Sequence, residues 1–230
     1  MTPLGPAEWE AVRLSLWVAL WATACSLPLG LICAYALARG RFRGRGVLNI
    51  LVHLPLIMPP VVTGYLLLLT FGRRGPVGGF LEQAFGLVFA FNWTGAALAA
   101  AVMGFPLMVR AMRLGIDAVD QRLEQAAATL GASRWRIFVT VTLPLTLPGV
   151  LAGAILGFAK GLGEFGATIT FVSNIPGQTR TIPLAIDAAL DVPGGAPLAL
   201  SLALVSLGLA ALALIASEWL ARRLSDRGAL

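Results

Sequence analysis

Charge is what this chain has least of. Only 12% of its 230 residues are Asp, Glu, Lys or Arg, against 58% hydrophobic residues and a mean hydropathy of +0.84. A soluble domain needs about a quarter of its residues charged to cover its surface, so the shortage marks an integral membrane protein. The single lysine, Lys160, is followed by glycine. That excludes a GxxxxGK[ST] phosphate loop, and with it nucleotide hydrolysis by that device. His53 is the only histidine, which removes His-based metal clusters and makes polar packing a simpler role for it than catalysis. Cys25 and Cys33 share one apolar run, and at about 1.5 Å of helix rise per residue they stand too far apart to bond each other. No catalytic residue, metal site or cofactor of the chain's own is expected. The net charge of +6 comes from arginines in short tracts between apolar runs, where they act as topology signals rather than as a nucleic-acid surface.

What is present is length. The chain reads as a single all-α transmembrane domain, a polytopic membrane protein with five transmembrane helices at about 11–38, 47–71, 93–114, 144–172 and 197–220, each able to cross about 30 Å of hydrocarbon. The N-terminal MTPLGPAEWEAVRLSLW has no basic region ahead of its apolar run, so it is expected to open the first span rather than a cleaved signal. The Gly-rich segment 76–92 is expected on the outer surface, with a sixth span as the alternative. Arg39, Arg41, Arg43, Arg45, Arg110, Arg113, Arg122, Arg134, Arg136, Arg222, Arg223 and Arg227 fall on one side of these spans; the loops of the other side hold Arg73, Arg74 and Arg180. Positive charge stays inside, which puts the N-terminus outside and the C-terminus in the cytoplasm.

One polar stretch interrupts the apolar chain. Asp120 suits an N-cap, Leu123, Ala126, Ala127 and Leu130 follow helical spacing, and Gly131 suits the left-handed residue that ends a helix. The spacing predicts a helix over 121–130 on the cytoplasmic face. Ser133 then caps a second turn, and Pro144 and Pro148 lead the chain back into the membrane. A ten-residue helix is marginal alone in water. It is either an amphipathic connector lying on the bilayer or a docking helix, whose small Ala126, Ala127 and Gly131 admit a partner's surface.

Within the spans, Lys160 and Glu164 are the only ionisable candidates outside the arginine tracts, and they are four residues apart. They read as a neutralising ion pair in span four or as part of a gate or pathway, a choice the pattern leaves open. Thr168, Thr170, Ser173 and Asn174 beyond them are candidate hydrogen-bond donors to a passing anion. Pro55, Pro59 and Pro60 break the backbone ladder of span two. Arg110 and Arg113 either anchor the inner face or attract an anion there.

These residues carry a resemblance. EQAAATLGASRWRIFVTVTLPL resembles the EAA loop of the permeases of ATP-binding-cassette importers, the match running through Gln125, Ala126, Ala127, Gly131, Val141, Leu143 and Pro144. Gln125 replaces the usual acid, which here stands one place earlier as Glu124. HLPLIMPPVVTGYLLLL, FPLMVRAMRLGIDAVD, GEFGATITFVSNIPGQTRTIP and SEWLARR narrow the resemblance to molybdate importer permeases. It implies a type I ABC importer permease fold over about 10–219, with 121–130 as the coupling helix of a homodimer in the bacterial inner membrane. It implies two further partners: a cytoplasmic ATPase that uses the ATP, and a periplasmic or extracellular molybdate-binding protein. The implied function is import of molybdate, with tungstate as a further substrate and sulfate, a tetrahedral dianion of the same shape, or another oxyanion as the alternative. The residues alone also admit an autonomous channel or carrier.

Overall fold

Prolines open several of the helices, standing at their first or second positions. The computed structural model describes residues 4–227; the side chains of Ser217, Glu218 and 220–227, including Arg222, Arg223 and Arg227, lie outside the described ones. The first helix, α1 (Pro6–Arg39), starts on a proline at a position where no backbone N–H is needed, and runs for 34 residues. After a short arginine-rich turn come α2 (Arg45–Ile57) and α3 (Pro60–Phe71), bent by 115° to each other. Met58 and Pro59 between them are extended, with ψ of 143° and 133°. Neither Pro59 nor Pro60 can donate to the ladder, and each pushes the residue before it out of the helical region. The span expected over 47–71, with its ladder broken at the prolines, is a pair of helices that part at Met58 and Pro59.

The next helix, α4 (Pro76–Phe85), has ten residues and ends on Gly86 at φ 66°. That is about half the length a crossing requires. Then follow α5 (Trp93–Asp117), the short α6 (Gln121–Thr129) and α7 (Arg134–Ile137), which passes through a π-helical turn at Phe138–Thr142 into α8 (Leu143–Leu162). The expected helix over 144–172 stops at Leu162, and a second piece, α9 (Gly166–Val172), follows. Last come α10 (Ile182–Leu190) and α11 (Ala196–Arg227). Among the described residues, α1, α5, the stretch Arg134–Leu162 and Ala196–Ala216 are each long and apolar enough to cross a membrane, and the bent pair makes a fifth if counted as one.

The centre of the fold is α5, packed against α1 and α8. Gly149, Gly153, Gly157 and Gly161 recur every fourth residue along α8, a spacing that lines one helix face with bare backbone. A Cβ on Gly149 would stand 2.8 Å from the Cα of Gly115, and one on Gly153 would stand 2.8 Å from the carbonyl oxygen of Met108. The two helices thus touch backbone to backbone. Met108, Met112 and Ile116 of α5 fill the space toward Ala34 and Leu37 of α1. At the other end Phe171 of α9 packs with Leu67 of α3 and Met103 of α5. The start of α10 is fixed to α1 by the Ile182 N–H, which donates to the Ser15 hydroxyl at 2.7 Å.

Candidate docking helix and translocation path

Local chemistry explains why α6 forms at all. The Asp120 carboxylate accepts from the Arg122 N–H at 2.9 Å, and Gly131 at φ 81° closes the far end, its N–H donating to the Ala128 carbonyl. Ser133 repeats the device for α7, accepting from the Arg136 N–H at 3.3 Å. No residue of α6 is buried. Gln125, Ala126 and Gly131 are exposed, Ala127 is half-buried, and the leucines Leu123 and Leu130 are 50% and 88% exposed. Two uncovered leucines and small side chains on a short polar helix leave an apolar face unmatched among the described residues.

Glu124 points the other way. Its side chain is only 17% exposed and forms an ion pair with Arg39 Nε at 3.2 Å, while the Thr142 hydroxyl donates to its second oxygen at 2.8 Å. One terminal nitrogen of the same guanidinium donates to the carbonyls of Ile116 and Val119, both at 2.9 Å. The residues expected to form one coupling surface therefore separate. Val141 and Leu143 are half-buried at the π-helical turn and the start of α8, and Pro144 is exposed beside them. Arg39 is a member of this constellation that the sequence offers only as a topology charge. Its place in the last turn of α1 is legible, but nothing in the sequence links it to a glutamate 85 positions later.

The second group lies around α9. Lys160, in the last turn of α8, meets Glu164 at 2.5 Å, with side-chain exposures of 30% and 2%. The other Glu164 oxygen accepts from the Ala167 N–H at 3.0 Å. The carboxylate thus also caps α9, satisfying a donor that the helix start leaves free. Thr168 is buried, and the Thr170 hydroxyl donates to the Gly166 carbonyl within its own helix at 2.9 Å. Ser173 ends α9 at φ 62° and ψ −174° with its side chain exposed, a conformation close to glycine-only territory. The loop beyond holds it there. The Thr179 hydroxyl donates to the Ser173 carbonyl at 2.8 Å, the Asn174 amide donates to the Leu184 carbonyl, and Arg180 donates to Asn174 at 2.8 Å. Arg110 and Arg113 instead border a cavity of about 250 Å³ with His53 and Asp117. Arg113 pairs with Asp117 at 3.6 Å and donates to Asn49 at 3.3 Å.

The Lys160–Glu164 geometry yields an ordered expectation. Lys160→Met strands a buried carboxylate and should destabilise by about 3 kcal/mol, the low end for a broken buried pair because the lysine keeps some exposure. Glu164→Gln keeps an oxygen for the Ala167 N–H and should cost less, and the double variant should be milder than Lys160→Met alone. Thermal unfolding in detergent, read beside transport, checks the order. Equal loss of transport in all three with unfolding unchanged would mean that the pair acts in the path rather than in the fold.

A family model described as "Binding-protein-dependent transport system inner membrane component" matches residues 26–226. The chain belongs to this family. The permease is a multi-pass inner-membrane transport subunit, not an enzyme. It is 58% identical over 220 residues to the molybdenum transport system permease protein ModB of Escherichia coli (strain K12), covering 96% of both chains. It is 53% identical, with the same coverage, to the protein of that name from Haemophilus influenzae. Its fold is also that of a chain in the crystal structure of a bacterial ABC transporter involved in the import of alginate. There the TM-score is 0.75 at 16% identity, over 96% of the permease and 80% of that chain.

Proposed function

We propose that the permease is the membrane subunit of an ATP-driven molybdate importer. In this reading two copies form the path, α6 of each docks into a cytoplasmic ATPase, and a binding protein delivers the anion from outside. The observation that carries it is the 58% identity, end to end, with a chain named for molybdenum transport. The uncovered face of α6 supports the docking role. The arginine tracts at the ends of α1, α5 and α7 support an outside N-terminus and a cytoplasmic C-terminus.

The path is then assigned to the neighbourhood of Lys160, Glu164, Thr168, Thr170, Ser173 and Asn174. Several of these polar groups are already engaged: Lys160 with Glu164, Thr170 with its own helix, Asn174 with Leu184 and Arg180. The exposed hydroxyl of Ser173 and the partly exposed Lys160 are the groups with room to meet a dianion. Such a path passes an oxyanion without gripping it, since tight holding needs several converging charged donors. Selection between molybdate and sulfate, equal in charge and shape, then falls to the rigid closed site of the binding protein.

The test is reconstitution of the permease with its ATPase in liposomes. Molybdate carried by its binding protein should stimulate ATP turnover and enter. Free molybdate at micromolar concentration should do neither, and neither should sulfate. Selective uptake without the binding protein would refute the division of labour, and uptake of sulfate in preference to molybdate would refute the substrate.

A further inference from the structure

We propose that Glu124 is a positioning residue that fastens the docking helix to the membrane helices, rather than a contact of the docking surface itself. The inference rests on the reading of α6 as the ATPase-facing element and assigns its carboxylate to the opposite side.

A nine-residue helix with no buried residue has little of its own to fix its orientation. Its two ends are shaped by local devices, the Asp120 cap and the Gly131 turn, both of which act within a few residues. Glu124 alone on α6 reaches beyond its neighbours by a side-chain bond among the described residues. Through Arg39 Nε it holds the last turn of α1. That guanidinium in turn occupies the carbonyls of Ile116 and Val119 at the end of α5, where a helix leaves acceptors unsatisfied and favours a cation. The Thr142 hydroxyl, itself buried, brings in the π-helical turn from which α8 starts. One carboxylate therefore joins the cytoplasmic ends of the three helices that form the centre of the fold.

The consequence is mechanical. A displacement of α6 imposed by a partner can be absorbed in the linkers at 118–120 and 130–133, or it can be passed to α1, α5 and α8 together. With the ion pair made, the second route is the stiff one. The weak hold of α6 elsewhere makes this single tie decisive, and the exposed Gln125 on the adjoining position remains free to face the partner.

Glu124→Gln is the informative variant, because the amide oxygen still accepts from Thr142 and Arg39 keeps its two carbonyls, so the ends of α1 and α5 stay joined. In the reconstituted complex of permease, ATPase and binding protein, the ATPase should still co-purify with the variant in wild-type amounts. Molybdate imported per ATP hydrolysed should fall about fivefold or more, and amide hydrogen exchange over 121–130 in the membrane-embedded permease alone should rise about tenfold. Loss of the ATPase from the variant would overturn the inference by putting the carboxylate in the docking contact. Wild-type coupling together with wild-type exchange would overturn it equally. The exchange measurement needs neither substrate nor partner, so if the wild-type complex failed to import molybdate it would still decide the role of Glu124 separately from the transport reading.

Discussion

A Gly131→Asp permease is expected to reach the membrane in normal amounts and to lose its ATPase. Gly131 holds φ 81°, and a Cβ built on it would meet no atom within 4 Å. Within the chain the substitution therefore costs only backbone strain, roughly 1–2 kcal/mol, and Asp bears the left-handed conformation better than most residues. Against a docked partner it adds a charge to a closely approached surface, where an unpaired buried charge costs about 3–5 kcal/mol, or more than a hundredfold in affinity. Gly86 supplies the control. It closes α4 at φ 66° with the same open surroundings, so Gly86→Asp should carry the same strain and leave assembly intact. Co-purification of the ATPase with each variant, and transport by each, separates the two costs. Equal behaviour of the pair would show that strain alone is being read and would remove α6 from the docking surface.

How much of this was legible depended on how local the cause was. Run length marks α1, α5, α8 and α11, because hydrocarbon thickness imposes it on the composition. The caps of α6 and α7 were legible for the same reason, Asp120 and Ser133 each accepting from a backbone N–H two or three residues on. Pro55, Pro59 and Pro60 announce a break in the second span, but its 115° bend depends on what α2 and α3 pack against, α5 for one and α9 for the other. Helix α8 stops at Leu162 and Glu164 accepts from the Ala167 N–H at the start of the next helix, whereas in the sequence it reads as the i+4 partner of Lys160 on a continuing helix. Both relations hold at once in the structure. For α6, the apolar stripe marks the face left for the bilayer or a partner, and Leu123 and Leu130 are exposed. That Glu124 is turned inward is not legible, since the residue that holds it, Arg39, lies on a helix far away in sequence. Pairings between distant arginines and carboxylates leave no periodic trace.

The glycine seam between α5 and α8 shows the same limit from the other side, and it carries the largest expected effect on stability. The four-residue spacing of Gly149, Gly153, Gly157 and Gly161 is plain in the sequence, but the partner groove is not. The structure supplies it: Gly115 of α5 lies opposite Gly149, so that a Cβ on either would stand within 2.9 Å of the other's Cα. Neither atom is the end of a flexible side chain, and relief requires the helices to part. Because the lipid offers no hydrophobic drive for helix association, close packing of this kind holds the pair together. Gly149→Val should therefore destabilise by about 3 kcal/mol or more, beyond the usual overpacking cost, since both sides of the contact are backbone. Gly208→Val on α11, where an added Cβ meets nothing within 4 Å, should change stability by less than about 0.5 kcal/mol. Thermal unfolding of the two variants in detergent makes the comparison with the same chemical change in the same kind of helix. If Gly149→Val unfolded alongside Gly208→Val, the backbone contact of α5 and α8 could not be what holds the core of the permease.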